Sequence, residues 1–329
     1  MINDFFKKFL YKMSVTDKYG LKYNNNISNE IEKVRNDYSM SLLGNKVLIR
    51  CSGDDAENFL NTQFTNDIKN LQDSQPQLSG YCSPKGRLMS VFYIFQLDGV
   101  YYIYTTLDTK NILLEKLNMY KMMSKVDFEV LDNILIGISN SPENNIPYDA
   151  EELKERSVIK HKDSIIFKLE NNNIIVSAHP ENLKDFINTD EINILGYKSW
   201  DYLDIENLAP FISEIHIESF TPQMISLDNL NGVSFTKGCY PGQEIVARTH
   251  YLGASKKALF YINIKSDHEI NIDDGILKYD DKKLVGNIIN ITRVTESSYS
   301  CLASLRKEFA DNKLIINEGD QIENIKIAD

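Results

Sequence analysis

Residues 46–51 form a short aliphatic run that stops at Gly53, and Asp54 and Asp55 follow it as candidate helix caps, since a short acidic side chain can accept from the free amides of a first turn. Ala56, Phe59, Leu60, Gln63 and Phe64 then recur at helical spacing, so this stretch reads as a strand followed by an amphipathic helix. Residues 88–97 and 100–106 are aromatic and β-branched runs on either side of Asp98-Gly99. A tight primed turn needs positive φ at both central residues, which this dipeptide tolerates, so a hairpin is predicted. Ile112, Leu113, Leu117 and Tyr120 predict a helix over 109–123, and 126–130 and 134–138 return to strand. Strand, helix, two strands, helix, strand is the order of a ferredoxin-like α+β unit.

A second set follows, with strands at 165–169 and 174–178 joined by a turn over 171–173 and a helix over 181–187. From Lys256 onward the helical period disappears. Strand-like runs at 259–264, 284–292, 298–305 and 314–317 are separated by turns containing Asp and Gly, which predicts a small β-barrel. The fold expected is α+β: an N-terminal extension over 1–40, an α+β region of two subdomains over 41–252, and a C-terminal β-barrel over 253–329. The Asn-rich stretch 24–26 reads as turn chemistry, and no internal repeat is found.

Charge and cysteine usage narrow the function classes. The formal net charge of -11 over 329 residues argues against broad nucleic-acid binding, because phosphate affinity comes from clustered Lys and Arg. Any link to RNA is expected to be indirect. In residues 1–13, Lys7 and Lys8 interrupt Phe5, Phe6, Phe9 and Leu10, which is unlike a signal peptide, and no run approaches the roughly 20 apolar residues of a membrane span. A soluble cytoplasmic protein without a membrane partner is expected. Cys51, Cys82, Cys239 and Cys301 lie far apart without a C-x-x-C pair, so neither a local metal site nor a disulfide is expected.

The most unusual segment is Lys237-Gly238-Cys239-Tyr240-Pro241-Gly242-Gln243-Glu244, continuing to Arg248. Its first half reads as a turn and its second half as the start of a helix. Gly238 and Gly242 permit backbone conformations closed to other residues and Pro241 fixes φ, so the loop is expected to be rigid and to present Cys239 and Tyr240. Glu244 and Arg248 are four apart and can pair on the helix surface. Cys239 stands two residues from Lys237 and close to the predicted helix N-terminus, both of which favour a thiolate. Cys239 and Lys237 are therefore the candidate catalytic residues, although a small buried thiol in a tight turn fits the same residues. His250, eleven residues on, could complete a thiol–imidazole pair but is more often an exposed loop residue.

The block from Lys237 to Arg248 resembles the signature of the YgfZ family of folate-binding proteins, related to the aminomethyltransferase T-protein of the glycine cleavage system. The resemblance extends to Phe220-Thr221-Pro222-Gln223 and Asn231-Gly232-Val233-Ser234-Phe235, and to 53–67, 81–86 and 120–126, covering about 43–260. It implies two interleaved ferredoxin-like subdomains that form, with the barrel, a ring of three domains around a channel that binds tetrahydrofolate or a derivative, with Trp200 and Glu206 at two folate-contacting positions. It also implies an accessory role in assembling or repairing iron–sulfur enzymes, including those that thiolate tRNA. An indole can stack on a pterin and a carboxylate can accept from its N–H edge. Read from the residues alone, the two are a core tryptophan and a solvated carboxylate.

The sequence also departs from that pattern. Ser90 stands where the T-protein carries its catalytic acid, Lys46 replaces a folate-contacting tryptophan of some relatives, and Leu208 and Leu252 replace a Gly and an Arg. The alternatives are a folate-dependent one-carbon transferase and a folate-binding module in which Cys239 is structural.

Overall fold

The structure, a computed structural model, describes residues 13–17, 20–23, 26–140, 153–169, 173–186, 192–253, 255–316 and 320–327. The leader reading of 1–13, part of the 24–26 turn and most of the 171–173 turn lie outside that set. Met13–Asp17 (β1) and Gly20–Tyr23 (β2) form an antiparallel hairpin. Helix α1 (Ile27–Asn36) opens with the Asn26 side chain accepting from Ser28 N at 2.9 Å, and it buries Ile31 and Val34. Ser39–Leu42 (β3) and Lys46–Ser52 (β4) follow.

Helix α2 (Ala56–Gln63) forms where its apolar spacing predicts, but its start differs. Neither acid caps it: Asp55 Oδ2 accepts from Lys125 N at 2.8 Å, and Asp54 pairs with the Lys125 ammonium at 3.3 Å. Gly53, at φ +126°, brings the backbone so close to Lys125 that a Cβ would lie 1.9 Å from its carbonyl oxygen. The two acids thus tie α2 to that loop instead of closing its first turn.

Strands β5 (Gln77–Cys82), β6 (Leu88–Leu97) and β7 (Val100–Thr106), helix α3 (Leu107–Tyr120) and strand β8 (Asp127–Val130) complete the first sheet, ordered β5-β6-β7-β4-β8. The β6–β7 turn has Asp98 at φ 53° and Gly99 at φ 75°, the geometry its sequence predicts. Within the sheet, β6-β7-β4-β8 is the ferredoxin-like order, with β5 added at the edge. Ile49, Phe92, Ile94 and Ile103 pack on one face with Phe59 and Leu60 of α2 and Leu113 and Leu117 of α3. The opposite face is covered too, which is why β6 is apolar along its length instead of alternating.

The second sheet interleaves with the first. Strand β3 leads directly into β4, and the chain returns to it only at β9 (Ile134–Ser139), where Ser39 pairs with Ser139. With β10 (Ser157–His161), β11 (Ser164–Lys168), β12 (Ile174–Ala178) and β13 (Asn193–Leu195) the order is β10-β11-β12-β9-β3-β13. This sheet is not a second regular ferredoxin-like unit. The helix predicted over 181–187 contracts to a 3-10 turn at Leu183–Asp185, because Leu183 and Phe186 supply one turn of apolar spacing and a single turn does not propagate. Helix α4 (Tyr197–Glu206) then packs on β3, and α5 (Gln243–Leu252) precedes the barrel.

The barrel closes as β14-β17-β16-β15-β18-β19, from β14 (Lys257–Lys265), β15 (Gly275–Lys278), β16 (Leu284–Thr295), β17 (Ser298–Arg306), β18 (Leu314–Ile316) and β19 (Asp320–Ile327). Ile262, Ile276, Ile288, Cys301 and Leu305 fill its interior. Leu259, Ile289 and Leu302 point outward onto Leu88 and Val91 of the first sheet. The two sheets and the barrel therefore meet, with α4 and Phe211 at the junction.

Candidate functional site

The motif loop is fixed by backbone packed on backbone. Gly242, at φ 78°, lies against Gly86, at φ 65°, so closely that a Cβ on Gly242 would sit 2.5 Å from the Gly86 Cα and from the Ser83 oxygen. Gly242 is also the N-cap of α5, and Gln243 N donates to Tyr240 O at 3.1 Å. Gln223 Nε2 reaches Val246 O at 2.8 Å, tying α5 to the segment before the motif. Gly238 plays no such part, since a Cβ there would meet nothing within 4 Å.

Lys237 is buried, and its ammonium donates to three carbonyls at the end of α2: Asn61, Phe64 at 2.6 Å and Asn66 at 3.0 Å. Burial pulls its pKa down to about 8, and its Nζ lies 5.2 Å from the centre of the Tyr240 ring. A cation suits the carbonyl end of a helix. Lys237 therefore acts as a cap and anchor for the loop, not as the charge beside Cys239 that the sequence suggested. Tyr240 is buried and Cys239 is exposed, while Cys51, Cys82 and Cys301 are buried. Glu244 and Arg248 are both exposed, and no ion pair joins them among the described residues. His250 stacks on Phe235, with ring centres 3.7 Å apart and 15° between the planes, which accounts for its imidazole without a thiol.

Trp200 and Glu206 leave α4 in different directions. Trp200 is buried against β9, where Gly137 makes room: a Cβ there would lie 2.2 Å from the indole ring. The Tyr104 hydroxyl is its neighbouring polar group in that core. Glu206 is exposed and accepts from Tyr261 OH of the barrel at 2.6 Å. The expected stacking platform is thus buried as a core side chain, and neither Trp200 nor Glu206 lines the cavity beside this helix. Leu208 has φ 54°, a left-handed conformation that explains why a glycine suits this position.

A cavity of about 420 Å³ does open beside α4, at the junction of the sheets and the barrel. Tyr197, Asp201 and Asp204 line it as one stripe of the helix, facing Asn45, Phe211 and Asn290. Asn45 Nδ2 donates to Asp201 at 2.7 Å and Asn290 Nδ2 to Phe211 O at 2.7 Å, while the buried Oδ1 atoms of both amides find no partner among the described residues. Lys46, almost fully buried, pairs with Asp204 at 2.7 Å and lies 3.6 Å from the Phe211 ring centre. Burial pushes the Asp204 carboxyl up to about 6 against the opposing pull of Lys46. Ser90 is fully buried among hydroxyls, 2.9 Å from Thr109 and 3.2 Å from Thr105, and does not line the cavity. The Tyr197, Asp201, Asp204 stripe was not singled out from the sequence, although its spacing of i, i+4 and i+7 places the three on one helical face and was the available signal.

Among the described residues, no helix is long and apolar enough to cross a membrane, and no group of three His, Cys, Asp or Glu is placed to hold a metal ion.

The fold places the chain in a class. The glycine cleavage system aminomethyltransferase T from Bartonella henselae superposes with a TM-score of 0.81 over 99% of this chain and 95% of that one, at 10% identity, so the two share an architecture. No family model matches. The tRNA-modifying proteins YgfZ of Vibrio vulnificus strain CMCP6 and Blochmanniella pennsylvanica strain BPEN are each 30% identical, over 234 and 236 residues, covering 68% of this chain and 70% and 71% of their own lengths. The YgfZ of Hamiltonella defensa is 28% identical over 306 residues, 88% of this chain and 90% of its own. The chain belongs to the YgfZ family.

Proposed function

We propose that this protein binds tetrahydrofolate or a derivative and serves, in the cytoplasm, as an accessory factor for assembling or repairing iron–sulfur enzymes, supporting tRNA modification through them. The observation that carries the reading is the cavity between the sheets and the barrel, whose wall offers buried acceptors in search of donors. A reduced pterin is flat and carries N–H groups along its edge, and the orphaned Oδ1 atoms of Asn45 and Asn290, together with Asp201, suit that edge. On this reading the two sheets and the barrel are three units ringed around the folate. Asn45, Asp201 and Asn290 would hold the ring, and Phe211 would supply an aromatic wall. The folate supplies one-carbon or redox chemistry when bound.

Cys239 is the functional thiol on this reading, because the loop exposes it on a backbone locked by Gly86, Gly242 and Lys237. Its partners are iron–sulfur client enzymes such as those that thiolate tRNA. The transferase alternative lacks support: Ser90, at the position of the T-protein's acid, is a buried alcohol without useful basicity.

The test uses cells lacking this protein. The wild-type chain should restore the activity of iron–sulfur enzymes and tRNA thiolation, and Cys239→Ser, present at equal level, should not. Full restoration by Cys239→Ser would remove the thiol from the account, and no restoration by wild type would remove the function.

A further inference from the structure

The start of β14 and the end of β17 bring like charges together. Lys257 is the register partner of Arg306 across the β14–β17 ladder, and just beyond it Lys307 N donates to Lys256 O at 2.9 Å. Two adjacent strand ends thus carry Lys256-Lys257 opposite Arg306-Lys307. Arg87, on the turn beside Gly86, completes the group: its guanidinium donates to Ser219 O at 2.8 Å, and its charge acts on Lys257 together with that of Arg306. Lys257 is only partly exposed, and its Nζ meets a neutral acceptor, Asn287 Oδ1, at 3.3 Å. One carboxylate, Glu308, lies 3.5 Å from Arg306. Among the described residues no ion pair joins Arg87 or Lys257 to an acid.

Like charges directly opposite one another destabilise a ladder, and in a chain of net charge -11 compensating acids are plentiful elsewhere. This corner gathers five cations, and among the described residues the one ion pair that any of them makes is Arg306 with Glu308, an arrangement that a bound anion relieves. Guanidinium forks match phosphate oxygens in pairs and ammonium groups serve as point charges around them. We propose that this corner is an anion site for a phosphate group, free or esterified. None of these residues lines the cavity beside α4, so the site stands apart from the proposed folate.

Phosphorus NMR and melting curves at fixed ionic strength, with chloride as control, test the proposal on the full-length protein. Inorganic phosphate should bind saturably and raise the melting temperature above the chloride value. Losing one charge-assisted contact should weaken that affinity about tenfold or more in Lys257→Gln, and similarly in Arg87→Gln. Lys257→Gln should also melt higher than wild type in chloride alone, because the repulsion is gone. Adenosine 5′-monophosphate serves as the second probe: tighter binding than inorganic phosphate assigns the site to an esterified group, and equal binding assigns it to the free ion. If neither probe stabilises the protein beyond chloride, or if both variants bind phosphate as wild type does, the proposal is overturned. Arg87→Gln keeps the test decisive should Lys257→Gln fail to fold.

Discussion

Glu30 is a carboxyl on α1 that is 3% exposed and accepts from Gly196 N at 3.0 Å, at the start of α4. Burial raises its pKa from 4.5 to about 7. A folded-state pKa above the unfolded value means that its contribution to stability is complete below about 4.5 and is lost as pH rises through about 7. Glu30→Gln keeps the acceptor for Gly196 and cannot ionise. Its melting temperature should therefore gain on wild type as pH is raised from about 5 to about 8. A constant difference across that range would show that Glu30 does not titrate. The cysteines separate by the same kind of reasoning. Cys239→Ser should stay within about 0.5 kcal/mol of wild type, as exposed substitutions do. Cys82→Ser and Cys301→Ser place a hydroxyl in fully buried sites and should cost on the order of 1–3 kcal/mol in denaturant unfolding.

At the scale of elements, the motif loop joins α2, the 83–86 turn and α5 through contacts that tolerate little change. Gly242→Ala combines a left-handed φ, worth roughly 1–2 kcal/mol, with a Cβ that meets backbone atoms at 2.5 Å. It should lower the melting temperature and displace the Cys239 loop, whereas Gly238→Ala, with open space around it, should do neither. Lys237→Met strands three carbonyls at the end of α2 and should destabilise by several kcal/mol, at about 1–3 kcal/mol per buried group left unpaired. If Lys237→Met folds as stably as wild type but loses function, the anchoring role is wrong.

The same scale shows what the sequence could reveal. The β6–β7 hairpin was legible because a two-residue turn with positive φ has local chemistry of its own. The helix expected over 181–187 failed because two apolar residues cannot distinguish one turn from two. Strands β5, β15 and β19 escaped notice because their pairing partners are set by the sheet and not by an alternating pattern of their own.

For the whole molecule, element order announced the C-terminal barrel and the motif loop stood out as one continuous block, whereas the interleaving rests on β3, a short strand with no pattern of its own, and was expected only through the family resemblance. The cavity did not. Asn45, Asp201, Phe211 and Asn290 are brought together from distant segments, and no local pattern announces that meeting. The family resemblance points to Trp200 as a folate contact, yet a helix turns about 100° between neighbours, so Trp200 enters the core while Asp201 enters the cavity. Gly137 on β9 was the trace of that packing, visible only once the strand and helix are seen to touch.

The central claim, that a folate lies in the cavity between the sheets and the barrel and is held there by polar groups of α4 and its neighbours, is tested most directly by titrating tetrahydrofolate into wild type, Asp201→Asn and Trp200→Phe in a calorimeter. Wild type should bind one equivalent. Asp201→Asn, which leaves shape and fold intact, should weaken binding about tenfold or more through loss of a charge-assisted hydrogen bond. Trp200→Phe should lower the melting temperature and leave the affinity within about threefold, less than 1 kcal/mol. Absence of binding in wild type, or an affinity that collapses in Trp200→Phe and survives in Asp201→Asn, would contradict the account.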